Sequence, residues 1–120
     1  MDDKTDIIRA LFAAYLVGDR QAVDARLAAD FRFTSPYDDE IDKTTYFDRC
    51  WRGSDWIATH MLERICVDGD TGFVTYQCVA KDGKSFRNTE VFVFDGDKIQ
   101  RIDVYFGATY QDGAFVRQQG

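Results

Sequence analysis

Residues 84–107 read KSFRNTEVFVFDGDKIQRIDVYFG, and this stretch decides the fold. On both sides of Asp95 and Gly96, alternate positions are rich in large apolar side chains, which is the period of a β-strand. An Asp-Gly pair fits the positive backbone angles of a tight hairpin turn. The pattern therefore predicts two antiparallel strands, over 84–94 and 98–107, joined by a hairpin.

The same turn dipeptide occurs twice upstream, at Asp68-Gly69 and at Asp82-Gly83. Runs rich in β-branched and aromatic residues lie on either side of each pair, so the sequence predicts a four-stranded antiparallel meander. Its strands cover 56–67, 72–81, 84–94 and 98–107. The closing segment, 108–120, shows no comparable pattern and is predicted to be irregular.

The first part of the chain has helical periodicity instead. Apolar residues recur at intervals of three and four between Ile8 and Leu16, which places them on one face of a helix. Two shorter segments are also predicted to be helical, and an aspartate that can act as a cap precedes each of the three. The predicted helices begin after Asp3, Asp19 and Asp42 and end near Val17, Ala29 and Gly53. A brief strand around Phe31 and Phe33 ends at Pro36, which lacks a backbone donor.

These elements predict an α+β fold in which three N-terminal helices pack on one face of a curved, mainly antiparallel sheet. Long strands twist, so the concave side encloses more volume than three short helices fill. A cone-shaped pocket, open at one end, is therefore expected. The length of 120 residues suits a single domain over 1–120.

Composition excludes several classes of function. The chain has 21 acidic and 15 basic residues, a net charge of −6, and neither half is basic, so the electrostatic footprint of a nucleic-acid binder is missing. Three cysteines without a C-x-x-C pair, together with one histidine, are too few for a zinc site. Phosphate-loop, dinucleotide-binding, hydrolase-elbow and metalloprotease motifs are absent from the sequence, so we expect neither a metal nor another cofactor.

The N-terminus is polar and acidic, and no apolar stretch approaches the roughly 18 residues of a membrane span. A signal peptide and a membrane partner are therefore not expected. An odd number of cysteines without disulfide spacing is typical of free thiols in a reducing compartment. We predict a cytoplasmic location.

One acidic residue falls on the aromatic face of the predicted third strand. Five residues share that face: Phe86, Asn88, Glu90, Phe92 and Phe94. A carboxyl in apolar surroundings without a cation holds its proton to a higher pH, and it can then donate a hydrogen bond. The alternative is that Glu90 pairs with Arg87 or faces solvent, because glutamates are rarely buried unpaired.

The last predicted strand presents Ile102, Val104 and Phe106 on its inner face and Asp103 on its outer face, where an ion pair or a subunit contact is expected. The outer face of the sheet also carries apolar residues, namely Val91, Val93 and Tyr105. A second copy of the chain could cover them, so we predict a homodimer packed sheet to sheet.

Two further groups are candidates for a base that moves a proton. His60 is the only side chain whose ordinary pKa lies near neutrality, and Asp38 belongs to an acidic turn that could fold over the mouth of the pocket. A satisfied structural histidine and a solvated turn are the alternatives. The residues expected to contact a ligand are Tyr15, Phe33, Trp51, Tyr76, Asn88, Phe92, Val104 and Phe106. For their aromatic members, plain core packing is the alternative.

The order of elements and four sequence segments resemble the nuclear transport factor 2-like superfamily, and in particular its SnoaL-like and ketosteroid isomerase-like domains. The segments are YLVGD at 15–19, FRFTSP at 31–36, NTEVFVFDGDKI at 88–99 and VYFG at 104–107. This superfamily includes ketosteroid isomerases, polyketide cyclases, scytalone dehydratase and limonene epoxide hydrolase. The resemblance implies the fold but leaves the reaction open, because the scaffold hosts many chemistries as well as non-enzymes.

By this resemblance, Glu90 occupies the position at which ketosteroid isomerases keep a protonated acid that donates to the developing oxyanion. Two departures argue against a faithful ketosteroid isomerase. The isomerase base normally precedes the proline, where this chain has Ser35, and the helix-one tyrosine falls opposite Leu11. Asp38 or His60 would have to replace the base, or no proton abstraction occurs.

Two functions follow from these features. The first is an enzyme that binds a small apolar molecule in the pocket and catalyses metal-free proton transfer, giving isomerisation, dehydration, cyclisation or hydrolysis. The alternative is a non-catalytic module that holds a ligand in its pocket or serves as an accessory dimerisation unit.

Overall fold

A computed structural model of the chain describes residues 3–51 and 56–117. These residues form helices and one mixed sheet, an α+β arrangement. The helices are α1 (Lys4–Leu16), α2 (Arg20–Arg26) and α3 (Lys43–Cys50). The strands are β1 (Leu27–Ser35), β2 (Asp38–Asp42), β3 (Ile57–Asp68), β4 (Thr71–Ala80), β5 (Ser85–Asp95), β6 (Lys98–Gln111) and β7 (Ala114–Val116).

The sheet has the order β2-β1-β6-β5-β4-β3, and β7 pairs with the far end of β6. The predicted meander forms its central part, from β3 to β6, with antiparallel neighbours throughout. One pair of strands is parallel. The strand β1, which follows α1 and α2, lies beside β6 and runs in the same direction. The sheet is therefore mainly antiparallel, and it is not closed into a barrel.

Each helix begins at the aspartate that the sequence indicates. The Asp3 carboxylate accepts a hydrogen bond from the backbone N–H of Thr5 at 3.2 Å, and Asp42 accepts one from Thr45 at 2.9 Å. Asp19 caps α2 in the same way. These carboxylates satisfy backbone donors that have no partner inside the helix.

The second helix is shorter than predicted. It ends at Arg26 rather than near Ala29, and the chain continues directly into β1. Leu27 pairs with Ile99 of β6 and is 3% exposed. Pairing in the sheet and burial of Leu27 outweigh the helical preference of the alanines that follow. The predicted end of the third helix at Gly53 lies outside the described residues.

Two segments predicted without regular structure are strands. The acidic turn forms β2, which pairs with β1 through Phe33 opposite Ile41 and Ser35 opposite Asp38. At the other end, β6 continues to Gln111, and a turn leads into β7. That turn is another Asp-Gly pair, Asp112-Gly113, with both residues at positive φ. The hairpin signal was therefore present in the sequence. The strand that follows it has only three residues, which is too short to show an alternating pattern.

The core lies between the helices and the inner face of the sheet, which is the face that carries Phe92 and Ile102. Both residues are almost fully buried, and so are Ile7 and Ile8 of α1. Most residues predicted to face inward on β5 and β6 are buried or partly buried, but Phe106, which was predicted to face inward, is 38% exposed. Within the part of the chain that the structure describes, no helix has the length and hydropathy of a membrane span.

Candidate functional site

A cavity of about 370 Å³ lies between α1, α3 and the inner face of the sheet. Most of its wall is apolar or aromatic, which is typical of a small-molecule site. Its main polar groups are Tyr15, Tyr46, His60, Tyr76, Asn88 and Glu90. Among the described residues that line it, none is a lysine or an arginine. The cavity is therefore a mostly apolar space with a small number of hydrogen-bonding groups.

Glu90 and Tyr76 are joined by a short hydrogen bond in this wall. Glu90 lies on β5 and Tyr76 on the neighbouring strand β4, where Tyr76 is directly opposite Asn88. The two side chains therefore occupy diagonal positions on the same face. The Tyr76 hydroxyl donates a hydrogen bond to Oε2 of Glu90 at 2.6 Å. The amide of Asn88 donates to the Tyr76 hydroxyl at 3.1 Å.

The surroundings favour the neutral form of the Glu90 carboxyl. Burial raises the pKa of Glu90 to about 7, and the hydrogen bond from Tyr76 opposes that shift. Burial, together with the negative charge of Glu90, raises the pKa of Tyr46 and of Tyr76 well above the ordinary value of a phenol. Both phenols therefore keep their protons at neutral pH and remain hydrogen-bond donors.

Glu90 does not pair with Arg87, which was the alternative considered from the sequence. Arg87 points to the opposite face of β5, where its guanidinium donates to the Glu63 carboxylate at 2.8 Å. The guanidinium of Arg101 binds Asp103 on that outer face, as expected for an outward aspartate. The inner carboxyl is thus separated from these bases by the sheet.

His60 lies in the same cavity, on β3. Its ring is within 5.8 Å of the Phe12 and Tyr76 rings, centre to centre, and it stacks at 6.2 Å on Tyr15. Burial lowers the pKa of His60, so the imidazole is neutral at pH 7. Its Nδ1 is buried and has no hydrogen-bond partner within residues 3–51 and 56–117. A neutral imidazole and a carboxyl that titrates near neutrality therefore line one cavity.

Asp38 is not in the cavity wall. It lies on β2, where Oδ1 forms an ion pair with the guanidinium of Arg49 at 2.7 Å. The thiol of Cys50 lies 3.8 Å from its other oxygen. The strand β2 holds this carboxylate beside α3 in an ion pair, so it does not fold over the cavity as an acidic loop would.

Two residues predicted to contact a ligand also lie outside the wall. Trp51 packs edge-on against Tyr15 at 5.2 Å and does not line the cavity. Phe92 is fully buried, and Phe12 packs against it at 6.3 Å. The other ligand-contact candidates all line the cavity: Tyr15, Phe33, Tyr76, Asn88, Val104 and Phe106.

Tyr46 is the main polar residue of the cavity that the sequence analysis did not select. It lies on α3 and contacts the rings of Phe31 and Phe33 at 5.4 and 4.9 Å. The helical spacing of Tyr46 with Cys50 was a usable signal, since both line the cavity. Thr109 was missed because it lies in the part of β6 that was expected to be irregular.

Solved structures with the same fold share little sequence with this chain. An NTF2-like protein of unknown function from Cytophaga hutchinsonii has a TM-score of 0.75 at 16% identity, over 88% of this chain and 91% of that chain. AclR from Streptomyces galilaeus, described as a candidate hydroxylase, has a TM-score of 0.74 at 12% identity, over 87% and 88%. A candidate polyketide cyclase from Sinorhizobium meliloti has a TM-score of 0.67 at 19% identity, over 86% and 99%. These structures define the nuclear transport factor 2-like fold and not the reaction.

Sequence comparison identifies the family. A model of the SnoaL-like domain matches residues 8–102, which is most of the chain. The chain belongs to the SnoaL-like domain family of the nuclear transport factor 2-like superfamily, and the membership predicted from its sequence segments is confirmed. No curated protein has a significantly similar sequence.

Proposed function

We propose that this protein binds a small, neutral, mostly apolar molecule in the cavity and transfers protons to and from it with its own side chains. The observation that carries the proposal is the hydrogen-bonded pair of Tyr76 and Glu90 in an otherwise apolar wall. In this proposal, the cavity is the counterpart of the cone-shaped pocket expected from the sequence. The reaction class is isomerisation, dehydration, cyclisation or hydrolysis.

The lining indicates the chemistry of the ligand. The described residues of the wall include no lysine or arginine, so an anionic ligand would meet no compensating charge. A protonated Glu90 offers a hydrogen bond to an acceptor, such as a carbonyl, hydroxyl or epoxide oxygen. A neutral molecule with an apolar skeleton and one such oxygen therefore matches the wall best.

Each of the two titratable groups has a role in this proposal. Glu90 donates a proton or a hydrogen bond to the ligand oxygen as negative charge develops there. His60 is neutral, so its imidazole can accept the proton that leaves a carbon or hydroxyl of the ligand. Return of both protons restores the starting state, and the sequence of steps consumes no other reactant in an isomerisation.

The pH dependence of binding tests this proposal. We expect neutral ring ketones to raise the melting temperature at pH 6, and carboxylates of the same skeleton to have little effect. Affinity for a ketone is expected to fall about tenfold between pH 6 and pH 8, because Glu90 loses its proton across that range. Titration calorimetry at three pH values measures the change.

Glu90→Gln is the matched variant for that experiment. The amide still donates a hydrogen bond but does not titrate, so binding should persist and its pH dependence should disappear. Turnover of any substrate found in the panel is expected to fall by about 10²-fold or more. Equal binding of ketones and carboxylates, or unchanged turnover in Glu90→Gln, would contradict the proposed role.

A non-catalytic binding module is the second candidate, and one observation favours it. At the position of the family's base, the Ser35 hydroxyl accepts a hydrogen bond from the backbone of Tyr37 at 3.1 Å, and a serine there cannot act as a carboxylate base. The nearby carboxylate of Asp38 is held by Arg49. Tight ligand binding without turnover across the panel would support this candidate over the enzyme.

We also propose that a second copy of the chain covers the outer face of the sheet, which is the face turned away from the cavity. Its apolar residues are Phe73, Val91, Val93 and Tyr105, and Phe73 and Tyr105 are 42% and 62% exposed. Ion pairs on the same face join Glu63 to Arg87 and Arg101 to Asp103. Because both signs of charge surround the apolar strip, a two-fold axis can bring opposite charges together.

Val93→Lys tests this interface. An ammonium on the apolar face that the second copy is proposed to cover is expected to weaken self-association by at least about tenfold. Size-exclusion chromatography with light scattering over a concentration series measures the mass. Val17→Lys is the control, because Val17 is 77% exposed at the end of α1. A monomeric parent, or a Val93→Lys variant with the mass of the parent, would refute the interface.

A further inference from the structure

Asn88 is a buried polar residue, 7% exposed, on the inner face of β5. Its side chain lies between two groups with different hydrogen-bonding abilities. One neighbour is the backbone N–H of Gly107 on β6, which lies 3.4 Å from Oδ1. An N–H can only donate, so the amide atom that faces it must be the oxygen. The amide nitrogen therefore faces Tyr76, and it can only donate.

This orientation fixes the direction of the whole chain of hydrogen bonds. The Tyr76 hydroxyl accepts from Nδ2 of Asn88, so its own proton is directed to Oε2 of Glu90. A carbonyl oxygen accepts more strongly than the hydroxyl oxygen of a carboxylic acid. When Glu90 is neutral, its proton is therefore best placed on Oε1, and this is the oxygen left for a ligand.

A bulge in the sheet supplies the backbone N–H that orients Asn88. Between the pairs Phe86–Thr109 and Asn88–Phe106, β6 has one residue more than β5. Gly107 lies at this bulge and approaches β5 so closely that a Cβ there would clash with the backbone carbonyl of Arg87. Only glycine allows the approach, and it frees the Gly107 N–H for a side chain.

We propose that Asn88 is a positioning residue: held by the Gly107 bulge, it forces Tyr76 to donate to Glu90 and so leaves Oε1 of Glu90 to carry the exchangeable proton. The consequence for a bound ligand rests on the proposed function, whereas the hydrogen-bond direction exists without any ligand. Loss of the Asn88 donor would let the Tyr76 hydroxyl turn and accept a proton from Glu90. That arrangement stabilises the neutral acid, so Glu90 would hold its proton to a higher pH.

The test is a titration of the ligand-free protein by carbon NMR with glutamate labelled at the carboxyl carbon. The chain has only three glutamates, Glu40, Glu63 and Glu90. The first two bind arginines, which lower their pKa values, so the signal of Glu90 is separated by its midpoint near neutrality. Asn88→Leu is expected to raise that midpoint by about one pH unit.

The variant Tyr76→Phe separates positioning from a general structural effect. Removing the phenol donor is expected to raise the Glu90 midpoint by about one to two pH units. Adding Asn88→Leu to Tyr76→Phe should then change nothing further, because Asn88 acts through the Tyr76 hydroxyl. A merely structural role for Asn88 would lower the melting temperature and leave the midpoint unchanged.

Two outcomes would overturn the proposal: an Asn88→Leu midpoint equal to that of the parent, or an undiminished shift in the Tyr76→Phe background. If the leucine variant does not fold, Asn88→Val takes its place in both backgrounds, since valine suits a strand, is smaller and has no hydrogen-bond donor. Neither result depends on ligand binding. The proposal can therefore fail while the proposed function stands, and the reverse also holds.

Discussion

Relative to the parent, the Glu90→Gln variant is expected to gain about 3 kcal/mol in unfolding free energy between pH 4 and pH 8. Burial raises the pKa of Glu90 from an ordinary value of 4.5 to about 7. Between those two values the folded parent keeps its proton and the unfolded chain has lost it. The parent therefore loses stability as the pH rises through this window, whereas glutamine does not titrate.

Urea unfolding followed by circular dichroism at pH 4, 6 and 8 measures this difference. Glu63→Gln is the control, because its effect on stability is expected to change with pH in the opposite direction. The guanidinium of Arg87 lowers the pKa of Glu63, so this carboxylate stabilises the folded state above its pKa and loses that effect in acid. A difference between Glu90→Gln and the parent that does not change with pH would show that Glu90 is hydrated or paired in the folded protein.

Phe92→Ala is expected to lower the unfolding free energy by about 3 to 5 kcal/mol. Phe92 is fully buried on β5, with Phe12 packed against it at 6.3 Å, and its removal leaves a void among rigid neighbours. Phe92 does not line the cavity, so the expected loss of unfolding free energy comes from core packing. The melting temperature and the urea midpoint should both fall.

Two further variants are compared with Phe92→Ala: a milder substitution at the same position and a surface control. Phe92→Leu is expected to cost less than half as much, since most of the volume is kept. Phe115→Ala should stay within about 0.5 kcal/mol of the parent, because Phe115 on β7 is 68% exposed. A loss below about 1 kcal/mol for Phe92→Ala would mean that the inner face of β5 is not the core.

The central hairpins were predictable because their signals are local. Alternation along β5 and β6 places Glu90 and Phe92 on the inner face, and the Asp-Gly pair between the strands fixes the register. The caps of the helices were readable for the same reason, since a capping aspartate bonds within three residues. The order of the elements follows from these local signals, and the family resemblance rests partly on that order.

The strands β1 and β2 show where local signals are insufficient. The alanines after Arg26 favour a helix, yet Leu27 begins a strand because β6 is available beside it. The distant partner is separated from Leu27 by more than half of the chain, so no window of sequence contains the pairing. The pairing of β2 with β1 holds Asp38 at the ion pair with Arg49 and outside the cavity wall.

Some features of the candidate site were likewise predictable from local sequence, and others were not. By itself, the sequence determined that Glu90 shares an aromatic inner face and that His60 and Tyr76 belong to neighbouring strands, because strand period and turn position are properties of consecutive residues. Only the tertiary structure decided that Tyr76 donates to Glu90, that His60 lies in the same cavity and that Asp38 does not. Those relations depend on strand twist, on the bulge at Gly107 and on helices packing over the sheet, and each of these brings together residues that are far apart in the chain.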